Sequence, residues 1–150
     1  MEVICGPMFS GKTEELLRRI RRAHIAKLPV ALFKPATDTR YDSVEVVSHD
    51  KNAMRSIVVE SSQALWDHIQ ETRQREPGRR EGYSIVAVDE AQFFDDGLPD
   101  VCNKLANQGY RVIVAGLDLD YEGRPFGPMP LLLALAEEVT KLHAVCVETG

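Results

Sequence analysis

The stretch GPMFSGKT, Gly6 to Thr13, sets two glycines around a four-residue interior, with a lysine and a hydroxyl directly after the second glycine. That spacing, G-x-x-x-x-G-K-[ST], suits the gripping of a polyphosphate. Gly6 and Gly11 permit the tight backbone that turns N–H groups inward, with Pro7, Met8, Phe9 and Ser10 forming the arch between them. Lys12 is expected to reach the outer phosphates, and Thr13 to offer its hydroxyl to Mg²⁺. The positive end of a helix beginning here adds to the hold on the phosphates.

A phosphate loop needs a metal-holding acid at the end of a neighbouring strand, and SIVAVDEAQFF supplies one. Ile85 to Val88 read as a buried strand, and Asp89 stands at its carboxyl end, where ligands bind in open α/β sheets. Asp89 is therefore expected to hold the metal through its water shell. Glu90, pointing to the other side of the chain, can take a proton from a hydroxyl or position a water. A guanine-specific switch would want Asn-Lys-x-Asp, but Asn103-Lys104-Leu105-Ala106 has alanine where the acid belongs. A motor ATPase also carries an acid pair after a strand, so a RecA-like motor domain stays open on these residues alone. A regulatory module without turnover would not need Glu90.

The elements that must place these residues follow from hydrophobic periodicity. Glu2–Cys5, Val30–Lys34, Ser84–Glu90 and Arg111–Gly116 read as strands, as does KLHAVCV near the C-terminus. Helical patterns cover Lys12–Lys27, the segment ending near Arg73, LPDVCNKLANQG and PLLLALAEEV. Near-continuous apolar strands alternating with helices predict an α/β fold, a P-loop NTPase-type parallel sheet flanked by helices. From Pro35 to Arg55 the chain is polar and lacks a helical period, so a long flexible loop is expected there, and loops of that length are often functional.

Length and charge narrow the partners. With 150 residues one domain is expected, and a formal net charge of −5 argues against a broad nucleic-acid surface. Small-molecule substrates fit better. Three cysteines without paired spacing suit a reducing cytoplasm, and no apolar run approaches the length of a signal sequence or membrane span. The four histidines share no metal spacing, and Arg18–Arg22 reads as a solvated or interface helix face.

Taken in order, GPMFSGKT, DTRY, SHD, DEAQFF and LDLDYEGRPFG resemble the thymidine kinases of the type shared by the animal cytosolic enzyme and many bacteria, over the whole 150 residues. The resemblance implies transfer of the ATP γ-phosphoryl group to the 5′-hydroxyl of thymidine with Mg²⁺, in a cytosolic homotetramer. Carried over by position, Gly6–Thr13 hold the triphosphate, Asp89 the metal and Glu90 the hydroxyl proton. Ala91 and Gln92 support the nucleotide site. Met8, Phe93 and Leu117 match the family's thymine-side walls, although Met8 and Phe93 could also be core residues. Asp38 and Arg40 match its mobile loop near the phosphates, or else form a surface ion pair. On this pattern residues 1–145 make the kinase domain and 146–150 begin a zinc-ribbon-like lid, mostly absent from this chain. Cys146 would be a Zn²⁺ ligand, but Thr149 stands where the family has the second cysteine, and a structural zinc site wants four ligands.

Overall fold

The computed structural model describes residues 1–36, 45–47, 53–75 and 82–144. Its frame is a six-stranded sheet built from β1 (Glu2–Cys5), β2 (Val30–Pro35), β5 (Ile57–Val59), β6 (Ile85–Val88), β7 (Arg111–Gly116) and β8 (Glu138–Lys141). The strand order is β5-β2-β6-β7-β1-β8. Every neighbouring pair is parallel. All six carboxyl ends therefore open onto one edge, the edge where α/β sheets bind ligands.

Helices cover both faces, which is why the central strands are apolar throughout. On one face lies α1 (Lys12–Ile25), whose Leu16, Leu17, Ile20 and Ala23 pack on Ile4, Leu32, Ala87, Ile113 and Ala115. On the other lie α2 (Ser62–Arg75), α3 (Leu98–Asn107) and α4 (Met129–Leu135), with Leu65, Ile69, Leu98, Leu105, Met129 and Leu132 against Phe33, Val86, Val88 and Val114. Strand alternation splits the two cores: Phe33 and Val88 face three helices, while Leu32 and Ala87 face α1.

The parallel sheet flanked by helices is as expected; several boundaries differ. Within the stretch read as a long loop, β3 (Glu45–Val47) and β4 (Ala53–Arg55) pair antiparallel in a separate two-stranded ribbon. Three-residue strands are too short to announce a period, and β5 escapes the pattern for the same reason. The last helix stops at Leu135, because the Ala136 N–H closes onto Leu132 and the backbone then turns extended. The N–H groups of Glu137 and Glu138 donate to the Met1 carbonyl at 2.9 and 3.4 Å, which delivers β8 to the side of β1. The final strand is thus EVTK rather than KLHAVCV, and residues 145–150 lie outside the described residues.

Candidate active site

Strand β1 ends at Cys5 and the chain turns at Gly6, whose φ of 148° favours glycine. A side chain there would collide with the Leu142 carbonyl, 2.5 Å from the position of a Cβ. Pro7, Met8 and Phe9 arch into solvent, and Phe9 takes a left-handed φ of 61°. Gly11, at φ 89° and ψ 21°, caps α1, and the Glu15 N–H makes a helical bond back to its carbonyl at 3.0 Å. The N–H groups of the turn before that bond have no carbonyl of their own helix to meet, so the helix presents donors to the arch. The Lys12 ammonium folds back across the loop, donating to the Pro7 carbonyl at 2.6 Å and lying 3.4 Å from Ser10 Oγ. Burial pulls Lys12 below the ordinary lysine value, while the charges of Asp89 and Asp118 push it back up. Thr13 follows in the first turn of α1.

Across the sheet edge, β6 stops at Val88, and the Asp89 N–H donates to Phe33 O at 2.9 Å. Asp89 is buried, and its carboxylate accepts the Glu90 N–H at 2.9 Å. Burial raises its pKa to about 6, opposed by that N–H and by Lys34 and Lys12. Its oxygens and the Thr13 hydroxyl are hard donors suited to Mg²⁺, and a cation would relieve the cost of a buried carboxylate. Glu90 is oriented by a left-handed turn, φ 52° and ψ 41°, rather than by strand alternation. Its carboxylate is 3.8 Å from the Lys34 ammonium. Phe9 and Glu90 are two of three non-glycine residues at positive φ among the described residues, and both lie at this edge. Left-handed backbone in such residues is uncommon and gathers at functional sites.

The 3-10 turn Ala91–Phe93 ties this edge to the end of β7. Gln92 is buried, and its Oε1 accepts the Leu117 N–H at 3.0 Å. Beyond Leu117 the chain forms a narrow loop bridged at Leu119–Pro125, with the Asp120 carboxylate accepting the N–H groups of Glu122 and Arg124. Gly127 closes it at φ 52°, pressed so tightly on the Gln92 carbonyl that a Cβ would overlap that oxygen. Met8 and Phe93 are not core residues: they are 62% and 46% exposed. Phe93 meets Phe126 edge-on at 5.4 Å. Asp38, Arg40, Cys146 and Thr149 lie outside the described residues.

Asp118 and Lys34 go unremarked in the sequence. Asp118 pairs with Lys141 at 3.0 Å and acts electrostatically on Lys12. Its signal is an acid two residues past the carboxyl end of β7, close to where Asp89 directly follows β6.

Loop, helix start and strand-end acid define a P-loop nucleotide-binding fold. Among solved structures the chain is similar to an ATPase domain, with a TM-score of 0.61 and 16% identity over 93% of this chain and 68% of that one. It is also similar to the Pif1 helicase from Candida albicans, at 0.51 and 14% over 96% and 36%. Likeness at that identity is one of fold alone. The thymidine kinase family model matches residues 1–150. The chain is 55% identical over 150 residues to the thymidine kinase of Bacteroides fragilis, covering all of this chain and 70% of that protein. It is also 55% identical to that of Porphyromonas gingivalis, covering all of this chain and 68% of the relative. The chain belongs to the thymidine kinase family, and the motor reading falls away. No helix among the described residues is long and apolar enough to cross a membrane.

Proposed function

We propose that the protein transfers the γ-phosphoryl group of ATP to the 5′-hydroxyl of thymidine, giving thymidine 5′-monophosphate. The observation that carries this reading is the gathering of the phosphate loop, the buried Asp89 and the strained Glu90 on one sheet edge, in a chain of this family. Gly6–Thr13 wrap the triphosphate, with Lys12 leaving Pro7 and Ser10 for the outer phosphates. Asp89 and Thr13 hold Mg²⁺, which when bound supplies charge neutralisation at the phosphate oxygens. The 5′-oxygen forms its bond to the γ-phosphorus as the bond to the ADP oxygen breaks, and the hydroxyl proton passes to the Glu90 carboxylate. Met8, Phe93 and Leu117 wall the base, while Ala91 and Gln92 fix the turn that carries Glu90. Asp38 and Arg40 attend the phosphates. The net charge of −5 supports small-molecule substrates over nucleic acid. The family resemblance supports a cytoplasmic homotetramer, checked by light scattering.

The test is incubation with ATP, Mg²⁺ and one nucleoside at a time, followed by separation of products. Monophosphate is expected with thymidine and deoxyuridine only; ATP consumption without any acceptor overturns the reading. Glu90→Gln keeps the shape but removes the base, so turnover should fall about 10²- to 10⁴-fold with ATP affinity within a few-fold of normal. Retained turnover removes Glu90 from the base role.

A further inference from the structure

Lys34 belongs to none of the motifs above, yet the sheet carries it to the chemistry. β2 lies beside β6 with Phe33 opposite Val88, and the bond from Asp89 N–H to Phe33 O extends the ladder past the strand's end. Alternation then puts Lys34 on the side of the sheet covered by α1, whose first turn is the end of the phosphate loop. The Lys34 side chain is 22% exposed, and its Nζ stands 3.8 Å from Glu90 Oε2. That is too long for a hydrogen bond, but close for opposite charges partly withdrawn from water. Among the described residues, Lys34 is the one cation paired with Glu90.

Glu90 needs such a partner. Its backbone is fixed by the left-handed turn, but its side chain is 40% exposed, and a half-exposed glutamate has several staggered rotamers open to it. Only some of them meet an acceptor hydroxyl in line with a phosphate held over Lys12. We propose that Lys34 is a positioning residue for phosphoryl transfer, its ammonium holding the Glu90 carboxylate in the rotamer that receives the acceptor proton. This rests on Glu90 being the base. Lys34 acts through Glu90 and touches neither substrate, so its loss lowers kcat and leaves both KM values alone.

The experiment compares Lys34→Met, Lys34→Arg, Glu90→Gln and the Lys34→Met/Glu90→Gln pair in steady-state assays with thermal melts. Lys34→Met should lower kcat about 10- to 100-fold, the scale of a misplaced catalytic group, with KM for ATP and thymidine within about twofold of normal. Lys34→Arg should recover most of the loss. In the Glu90→Gln background, Lys34→Met should change kcat by less than about twofold, since no carboxylate is left to hold. Full kcat in Lys34→Met overturns the proposal, as does a loss that multiplies with that of Glu90→Gln. A raised KM would make Lys34 a substrate contact and also overturns it. Lys34→Gln guards against a folding defect: activity that tracks melting temperature across the three Lys34 variants assigns Lys34 to stability and overturns the proposal. Turnover retained in Glu90→Gln is the separate failure of the base assignment, and it removes the ground of the proposal whatever Lys34→Met does.

Discussion

A carboxylate buried at the end of an apolar strand has an unstable charge, and Asp89 shows what that costs the fold. Its pKa of about 6 lies above the ordinary aspartate value of 3.8, so the native state binds its proton more tightly than the unfolded chain does. The stability tied to that proton is complete below pH 3.8 and is lost as pH rises through about 6. Asp89→Asn removes the charge but keeps an oxygen for the Glu90 N–H, so in chelator at pH 7 it should be more stable than the parent by about 3 kcal/mol. The advantage should shrink to nothing near pH 4. Denaturant melts across that range check it, and a pH-independent difference would mean that Asp89 is hydrated. At this scale the sequence was most legible. Gly6, Gly11, Lys12 and Asp89 announce themselves because the backbone shapes and charges they serve tolerate few other residues. Lys34 was hidden because nothing local marks it and strand pairing alone brings it to Glu90, while Asp118 carried only the weak mark of an acid past a strand's end, its partner Lys141 lying on the distant β8.

At the scale of elements, the side chain of Asp95 fastens the joint after β6 to α2. Asp95 accepts the Ser62 hydroxyl at 2.5 Å, the Ser62 N–H at 2.8 Å and the Gly97 N–H at 2.9 Å. It thereby caps α2 from a distant part of the chain and fastens the turn carrying Glu90 to that helix. Burial alone would raise its pKa, but the donors from Ser62 and Gly97 prevail and hold it below the ordinary value. That stabilisation is present above the usual aspartate range and is lost as pH falls through the depressed value. Asp95→Ala should cost about 1–3 kcal/mol at neutral pH, with a smaller loss in acid. A melt unchanged at pH 7 would show that Ser62 finds another partner. Helix and strand types were legible wherever the apolar pattern ran for a full strand or several helical turns, as in Ile85–Val88 and α1. They failed where tertiary bonds decide: α4 ends three residues before β8 begins because Glu137 and Glu138 are drawn to Met1, a partner no local window contains.

Across the whole molecule, the pole opposite the site is clamped by charge. Glu2 on β1 accepts from Arg111 on β7 at 2.6 and 3.0 Å and from Arg19 on α1 at 3.1 Å, while Arg19 also reaches Thr140 on β8 and Glu15. Arg19 is buried, so the run Arg18–Arg22 is not a uniformly solvated face. The Arg111 guanidinium holds Glu2 below the ordinary glutamate value against the pull of burial, and Arg19 adds to it. This contribution is present above the ordinary value and is lost as pH falls below it. Glu2→Gln should cost about 1–2 kcal/mol at pH 7, a figure reduced because Arg111 is 45% exposed. The difference should fade in acid, and kcat per folded molecule should not change. Melts beside an active-site titration check both, and a kcat that drops with full folding would mean that strain at this pole reaches the phosphate loop.

The strand order also dictates when the protein can come together. Glu2 on β1 lies opposite Ile113 on one side and Glu138 on the other, so a strand made early waits for two made more than a hundred residues later. Until β7 has been made, β1 has no neighbour in the sheet, and the Gly6–Thr13 arch hangs from an unpaired strand. Closing so long a loop is entropically slow, and an apolar strand left waiting is exposed to aggregation. Nucleotide can therefore favour the finished fold but has no formed cradle to bind early in synthesis, so nascent chains cut short before Arg111 should remain open to protease whether or not ATP is present.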